Sequence, residues 1–295
     1  MKYIFKSIIA LSAAALFAVS CNVDNIGTLY EHDSNDSGVS FTQAVLSDAE
    51  VSATATSCTL TVGRAVADAA QTVNIASTIQ GVGVPSSVTF AAGQYSTDLV
   101  LDLSQMQVAV PYKGTISLAN KDDYNDMAIS SVNVSLQKAY TWLSLGTGEF
   151  LENFWEGYVA DVEIMKAEGF NIYRIINPYA SASAAADATG PKPAYIQFEV
   201  KDNAGTVNFN TWQSPYDYDG TGAYLKFYRP SERGADYAQY DNQSKLVDNY
   251  YLALMPYVYI DGLGGWGVNY GYVIGASLPG APKSIVDWFD EQGLL

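Results

Sequence analysis

From residue 39 to residue 136 apolar and polar side chains alternate with a period of two. The alternating runs are 39–41 (VSF), 58–62 (CTLTV), 73–75 (VNI), 88–90 (VTF), 99–103 (LVLDL), 114–118 (GTISL) and 132–136 (VNVSL). Turn-forming stretches such as 81–83 (GVG), 92–93 (AG) and 120–123 (NKDD) separate them. Seven short strands at this spacing predict an all-β fold, a β-sandwich of about 100 residues. Cys58 falls on the apolar phase of its run, the position of a small core residue rather than a nucleophile. Beyond residue 139 the period continues in 157–164, 170–176, 194–200, 206–209, 223–228, 250–254, 257–260 and 267–274. Residues 200–207 (VKDNAGTV) read as a hairpin, with Asn203 and Gly205 in the turn. Residues 180–193 are small and low in complexity and predict a surface loop. Residues 282–292 predict a short C-terminal helix with Ile285, Trp288 and Phe289 on one face, Ser284 at the cap and Asp287 three residues on. The second half is thus expected to be a β-sandwich or a barrel-like domain ending in a helix.

The first twenty residues break the pattern. Lys2 and Lys6 make a positive head, and 8–19 (IIALSAAALFAV) is apolar and uncharged. That run is too short for a mature transmembrane helix and reads as an export signal. It ends in 18–21 (AVSC), which resembles a bacterial lipobox. The resemblance implies cleavage before Cys21 and a diacylglycerol on its thiol; the alternative is ordinary A-x-A cleavage with Cys21 incidental. Residues 21–37 are polar and aperiodic and read as a tether. A flexible coil of that length has an r.m.s. reach of roughly 20 Å and a full extension of about 55 Å. His32, the single histidine of the chain, lies in this stretch.

The expected organisation is therefore a signal peptide (1–20), a tether (21–37), a β-sandwich (38–138) and an aromatic-rich β domain (139–295). The strand order of the sandwich resembles a Calx-beta domain, carried by 39–41, by 60–64 (LTVGR), by 88–93 (VTFAAG) and by 112–118. Members of that family that bind calcium use clustered acidic loops. Here 79–85 (IQGVGVP) has no carboxylate and Asp122 and Asp123 form a single acidic pair, too few oxygen ligands for Ca²⁺. This domain reads as a spacer. The second half resembles an uncharacterised domain of Bacteroidetes-type surface lipoproteins, through 141–150 (TWLSLGTGEF) and 173–179 (YRIINPY). The resemblance implies a Gram-negative outer-membrane location, surface-exposed or periplasmic, and brings no catalytic set with it.

Net charge is −16, with no basic patch to neutralise phosphates, which argues against nucleic acid as a partner. With one histidine, in the tether, the folded body lacks the base of a Ser-His-Asp or Cys-His site and the ligand of an ordinary zinc site. No cofactor or metal is expected. Glu149, Glu152, Glu156 and Glu163 keep a carboxylate-dependent glycosidase open as a third alternative. Residues 217–222 (DYDGTG) start like an EF-hand, but Tyr228 stands where the bidentate acid belongs, so a polar turn is the favoured reading. Arg174 is expected to pair with a carboxylate such as Glu163 or Asp161 on a neighbouring strand.

Aromatic residues carry the stronger signal. All five tryptophans and 17 of the 22 tyrosines lie beyond residue 139. Most should pack a core. Trp212, Tyr216 and Tyr218, and Trp266 and Tyr270, sit among Gly, Pro, Asp and Asn, where the chain reads as loops. These five are the expected ligand-binding residues, whereas Tyr195, Phe198 and Tyr259 are expected to pack within strands. The expected function is non-catalytic binding of a glycan or an outer-membrane partner protein, with a membrane attachment at Cys21. A structural or adhesive envelope component is the alternative.

Overall fold

The structure, a computed structural model, describes residues 38–124, 127–154, 157–183 and 187–295. Cys21, His32, the signal and the tether lie outside the described residues, as do Trp155 and Glu156. The chain is all-β apart from one short α-helix and several 3-10 turns, and it divides into two compact units between Gln137 and Lys138.

The first unit holds β1 (Ser40–Phe41), β2 (Val45–Val51), β3 (Ser57–Gly63), β4 (Gln71–Ser77), β5 (Ser87–Phe90), β6 (Ser96–Asp102), β7 (Pro111–Leu118) and β8 (Ser131–Lys138). They form two sheets, ordered β1-β3-β6 and β2-β8-β7-β4-β5. The apolar phase of each strand turns into one core, where Leu60, Val62, Leu99 and Leu101 from one sheet meet Val73, Ile75, Ile116, Val132 and Val134 from the other. Cys58 packs half-buried against that core, and burial pushes its thiol above the ordinary range. β2 escapes the sequence pattern because its run, VLSDAEV, does not alternate. Arg64 is buried and donates to the carbonyls of Gln94 (2.8 Å), Ala69 (2.7 Å) and Ala91 (2.7 Å), pinning loops that have no ladder of their own.

The second unit holds β9 (Trp142–Glu152), β10 (Tyr158–Ala167), β11 (Ile172–Ile176), β12 (Tyr195–Val200), β13 (Val207–Phe209), β14 (Trp212–Asp217), β15 (Tyr224–Tyr228), β16 (Lys245–Val247), β17 (Tyr251–Leu254), β18 (Tyr257–Ile260), β19 (Gly264–Gly267), β20 (Ile274–Ser277) and helix α1 (Ile285–Glu291). Eight strands run in the order β13-β12-β11-β10-β9-β20-β17-β16. The two ends of that sheet meet. Val207 N–H donates to the Ser244 carbonyl at 2.9 Å and Leu246 N–H to the Gly205 carbonyl at 2.8 Å, so the sheet closes into a barrel. Closure depends on the predicted hairpin: Gly205 has φ +74°, and a Cβ there would stand 2.2 Å from the Leu246 carbonyl oxygen.

A second sheet, β14-β15-β18-β19, adds Trp212, Leu225, Phe227, Val258 and Ile260 to the barrel core of Phe150, Ile164, Ile175, Phe198, Leu252 and Ile274. Outside the barrel, α1 lays Ile285, Trp288 and Phe289 on Leu151, Tyr251 and Ala253. Trp288 stacks on Tyr251 at 4.9 Å, and the Ser284 hydroxyl accepts from Asp287 N–H, as the sequence predicts. β17 is therefore buried on both faces, which explains why its sequence, YLAL, shows no polar phase.

Two expectations are corrected. Residues 212–217 form a strand, not a loop. Pro215 makes the stretch read as a turn, but β14 lies at a sheet edge and its pairing with β15 skips from Gln213 to Asp217, so the missing N–H costs no ladder bond. Residues 267–274 are not one strand. Gly267 (φ +67°) and Gly271 (φ +65°) turn the chain between β19 and β20.

Candidate functional site

Of the five ring residues expected to bind, Trp212 and Tyr216 are core residues, 6% and 2% exposed. The Trp212 indole N–H donates to the Tyr179 hydroxyl at 3.3 Å, and its ring lies 5.1 Å from Phe227 and 5.6 Å from Phe209. Tyr216 packs on Tyr158 and Tyr179. Neither can stack on a ligand outside. The polar neighbours that suggested a loop serve the interior instead: the Ser214 hydroxyl accepts from Tyr216 N–H, and Asp217 accepts from Gly222 N–H at 2.9 Å. Asp217 thereby closes 217–222 as a polar turn.

Tyr218, Trp266 and Tyr270 do come together, through Phe154. The Phe154 ring centroid is 4.8 Å from Tyr270 and 6.2 Å from Trp266, and Trp266 is 6.2 Å from Tyr218. Trp266 is the extra residue in a bulge of β19, opposite Val258 and Tyr259 of β18. It and Tyr218 are half-buried against the core, whereas Tyr270 is 53% exposed.

A different set of rings faces outward, on strands. In β15 and β18 every second residue points into the core (Leu225, Phe227, Val258, Ile260), which leaves Tyr224, Lys226, Tyr228, Tyr257 and Tyr259 on the outer phase. Register sets Tyr228 opposite Tyr257 and Lys226 opposite Tyr259. The Tyr228 and Tyr259 rings are 6.1 Å apart, edge to face. Tyr257 leans across β19, and a Cβ on Gly265 would stand 2.2 Å from its hydroxyl. Glycine is therefore required there by the ring above it. The phase of the pattern could have shown these tyrosines as outward, since the residues between them are uniformly apolar.

The segment after β15 folds over this face. Two consecutive 3-10 turns, Pro230–Arg233 and Ala235–Gln243, are joined at Gly234. Arg229 pairs with Glu232 (3.5 Å) and Asp241 (3.7 Å), Asp241 accepts from Ser231 N–H (2.9 Å), and Glu232 also accepts from the Thr211 hydroxyl. So held, the turns deliver two side chains to the tyrosines. The Tyr237 ring packs on Tyr257 at 4.7 Å, and the Tyr257 phenol beside it holds the Tyr237 phenol above the usual tyrosine range. Arg233 Cζ lies 4.3 Å from the Tyr259 centroid, 4.8 Å from Tyr228 and 5.6 Å from Tyr257. Lys226 forms an ion pair with Asp261, which raises its pKa.

Three other places are already committed to structure. Arg174 does not take the expected carboxylate partner. Its guanidinium lies between the Trp142 and Tyr195 rings, 3.9 Å from each, and donates to Gln197 at 3.0 Å. Register sets Arg174 opposite Met165 and Gln197, whereas Glu163 lies opposite Ile176, on the same face but two residues along the strand. Tyr195 is 41% exposed in that stack rather than packed inside. A 560 Å³ hollow beside the hairpin is lined by Asn171, Tyr173, Asp202, Lys245 and Asp248, but Asp202 and Lys245 bind the hairpin itself. Thr206 N–H holds the Asp202 carboxyl below the ordinary range, and Lys245 donates to the Thr206 hydroxyl at 2.7 Å. Glu149 accepts from Ile285 N–H at 2.7 Å and so caps α1, while Glu152 is buried and accepts from Phe154 N–H at 2.6 Å.

The chain matches no protein-family model and none of the curated proteins. Among solved structures it is similar to a protein of unknown function from Bacteroides ovatus, at 9% identity and a TM-score of 0.30, over 82% of this chain and 92% of that one. It is also similar to a proposed carbohydrate-binding protein from Bacteroides ovatus, at 10% identity and a TM-score of 0.28, over 78% of this chain and 69% of that one.

Proposed function

We propose that this is a non-catalytic glycan-binding protein, held to a membrane by a lipid on Cys21, whose binding face is the outer side of the β14-β15-β18-β19 sheet. The observation that carries the reading is the row of Tyr228, Tyr257 and Tyr259 on adjacent strands, facing away from the core. A sugar ring presents axial C–H groups on one face, and their partial positive charge meets the negative face of a phenol ring. Fixed strands set the ring spacing, so little entropy is lost when a ligand docks. Gln213, Lys226 and Asp261 border the rings and can bond sugar hydroxyls. The five residues expected from sequence are replaced in this role by the three strand tyrosines, with Tyr270 as an exposed ring beyond the sheet.

Affinity electrophoresis through gels containing a panel of polysaccharides tests the proposal. The wild-type protein should be retarded by at least one of them and the Tyr257→Ala/Tyr259→Ala double variant should not, with the melting temperature preserved. Losing a ring from the centre of a binding face costs about 2 kcal/mol, more than a tenfold loss of affinity. No retardation by any polysaccharide, or equal retardation of the double variant, would remove the glycan reading.

A further inference from the structure

Resting on that reading, we infer that the face takes a glycan carrying sparse uronic acid residues, with the Arg233 guanidinium receiving one carboxylate while a tyrosine receives the neighbouring sugar ring.

The four arginines of the chain differ in how their donors are used. Arg64 spends its donors on three carbonyls, Arg174 donates to Gln197, and Arg229 serves Ser231, Glu232 and Asp241. Arg233 is exposed, and among the described residues its contacts are the rings of Tyr228, Tyr257 and Tyr259. Among the described residues the Arg233 N–H groups meet these rings and no hydrogen-bond acceptor, which leaves the N–H edge unused. That edge is a planar fork, and the ligand group that matches it is a carboxylate with two oxygens in one plane. A hydroxyl pair on a neutral sugar offers two acceptors out of plane and no charge. Three of the four nearby acids are already paired. Asp261 is taken by Lys226, and Glu232 and Asp241 by Arg229.

Charge decides between a sparse and a dense polyanion. Around the face stand Lys226, Arg229 and Arg233 against Glu232, Asp236, Asp241 and Asp261, on a chain of net charge −16. There is no positive field to draw in a polymer charged at every residue. Its repulsion would act over about 8–10 Å at physiological salt. A single carboxylate on an otherwise neutral chain meets the fork at contact distance and meets little of that repulsion.

The test is an NMR titration of the full chain with methyl β-glucuronoside and methyl β-glucoside, repeated with the galacturonoside and galactoside pair, reading the Arg233 side-chain N–H. One acidic glycoside should bind about tenfold more tightly than its neutral twin and shift that signal. Arg233→Gln should bring the acidic glycoside to the level of the neutral one, and Arg233→Lys should do nearly the same, because a point charge lacks the fork. Tyr259→Ala should weaken both. Equal binding of acidic and neutral glycosides would overturn the uronate inference and leave the glycan reading standing. Acetate alone reproducing the shift, with Tyr259→Ala silent, would mean an anion site without sugar contact and would also overturn it. No shift with any glycoside would overturn the uronate inference, while the glycan reading stands or falls on the polysaccharide gels.

Discussion

Trp212 and Tyr179 meet inside the barrel, the indole N–H donating to the phenol oxygen at 3.3 Å, although one begins an edge strand rich in polar residues and the other follows Asn177-Pro178. Trp212→Ala should therefore cost about 3–5 kcal/mol of stability, as for other buried aromatics. Trp212→Phe keeps most of the packing and loses the hydrogen bond, and should cost nearer 1 kcal/mol. Urea unfolding of the two variants measures the difference. A small loss for the alanine variant would return Trp212 to the surface.

Tyr179 makes stability fall at alkaline pH. Burial first, and then the Glu152 carboxylate, raise its phenol well above the ordinary range. The folded state holds this proton after the unfolded state has released it. The contribution is fully present below about pH 10 and is lost as pH rises toward the raised folded value, at up to about 1.4 kcal/mol per pH unit. Denaturant titrations from pH 8 to beyond about pH 10 should show a steeper decline for wild type than for Tyr179→Phe, where this proton is missing.

Gly148 is needed for two strands to touch. A Cβ at this position would sit 2.1 Å from the Ser277 carbonyl oxygen, in the backbone of the neighbouring strand β20. Backbone cannot swing aside as a side chain does, so Gly148→Ala should destabilise by at least about 2 kcal/mol. Thermal melting checks this. Gly146, the other glycine of the 141–150 run, has φ +111° beside the bulge at Leu145. Both glycines of that run are thus explained by barrel geometry.

Removing residues 284–295 should leave a soluble-expression defect rather than a local one. The deletion uncovers Leu151, Tyr251 and Ala253 on the outside of the barrel and strips Glu149 of its bond to Ile285 N–H. Light scattering should show concentration-dependent association of the truncated protein. The single substitution Trp288→Ala should cost about 3–5 kcal/mol without that association.

Cys21→Ser should release the protein from membranes. Each acyl CH₂ contributes about 0.8 kcal/mol of anchoring, and an acidic body, from a chain of net charge −16, offers no electrostatic substitute on an anionic surface. Fractionation after a high-salt wash checks this; a variant that still pellets would end the lipoprotein reading.

Much of the strand content was legible because half-buried strands alternate, and the capped terminal helix was legible because Ser284, Ile285, Trp288 and Phe289 fall at helical spacing. The site was harder to read. Trp212 and Tyr216 lie among Ser, Pro and Asp, residues that usually mark loops, but Pro215 at a sheet edge and Asp217 in a closing turn do local work that looks the same in sequence. Tyr257 and Tyr259 sit in an apolar strand, where composition suggests packing, yet alternation with Val258 and Ile260 turns both outward. Arg233 gave no local signal, since its ring partners lie on β15 and β18 and meet it only in the folded sheet.

The pairing of β9 with β20 sets a clock on folding. Glu149 N–H reaches the Ser277 hydroxyl across 128 residues of sequence, and the four paired positions from Glu152 to Glu149 all match residues of β20. β9 is the first strand of its unit to be made, and it waits for one of the last. Closing so long a loop is entropically slow, and rates fall as contacting residues grow more distant in the chain. A chain leaving the ribosome N-terminus first can pair β9 with β10 early but cannot finish the barrel until β20 has followed. Refolding of this unit should accordingly be slow beside its hairpins, and a partly made barrel would present the β9 edge to any protein that binds unpaired strands.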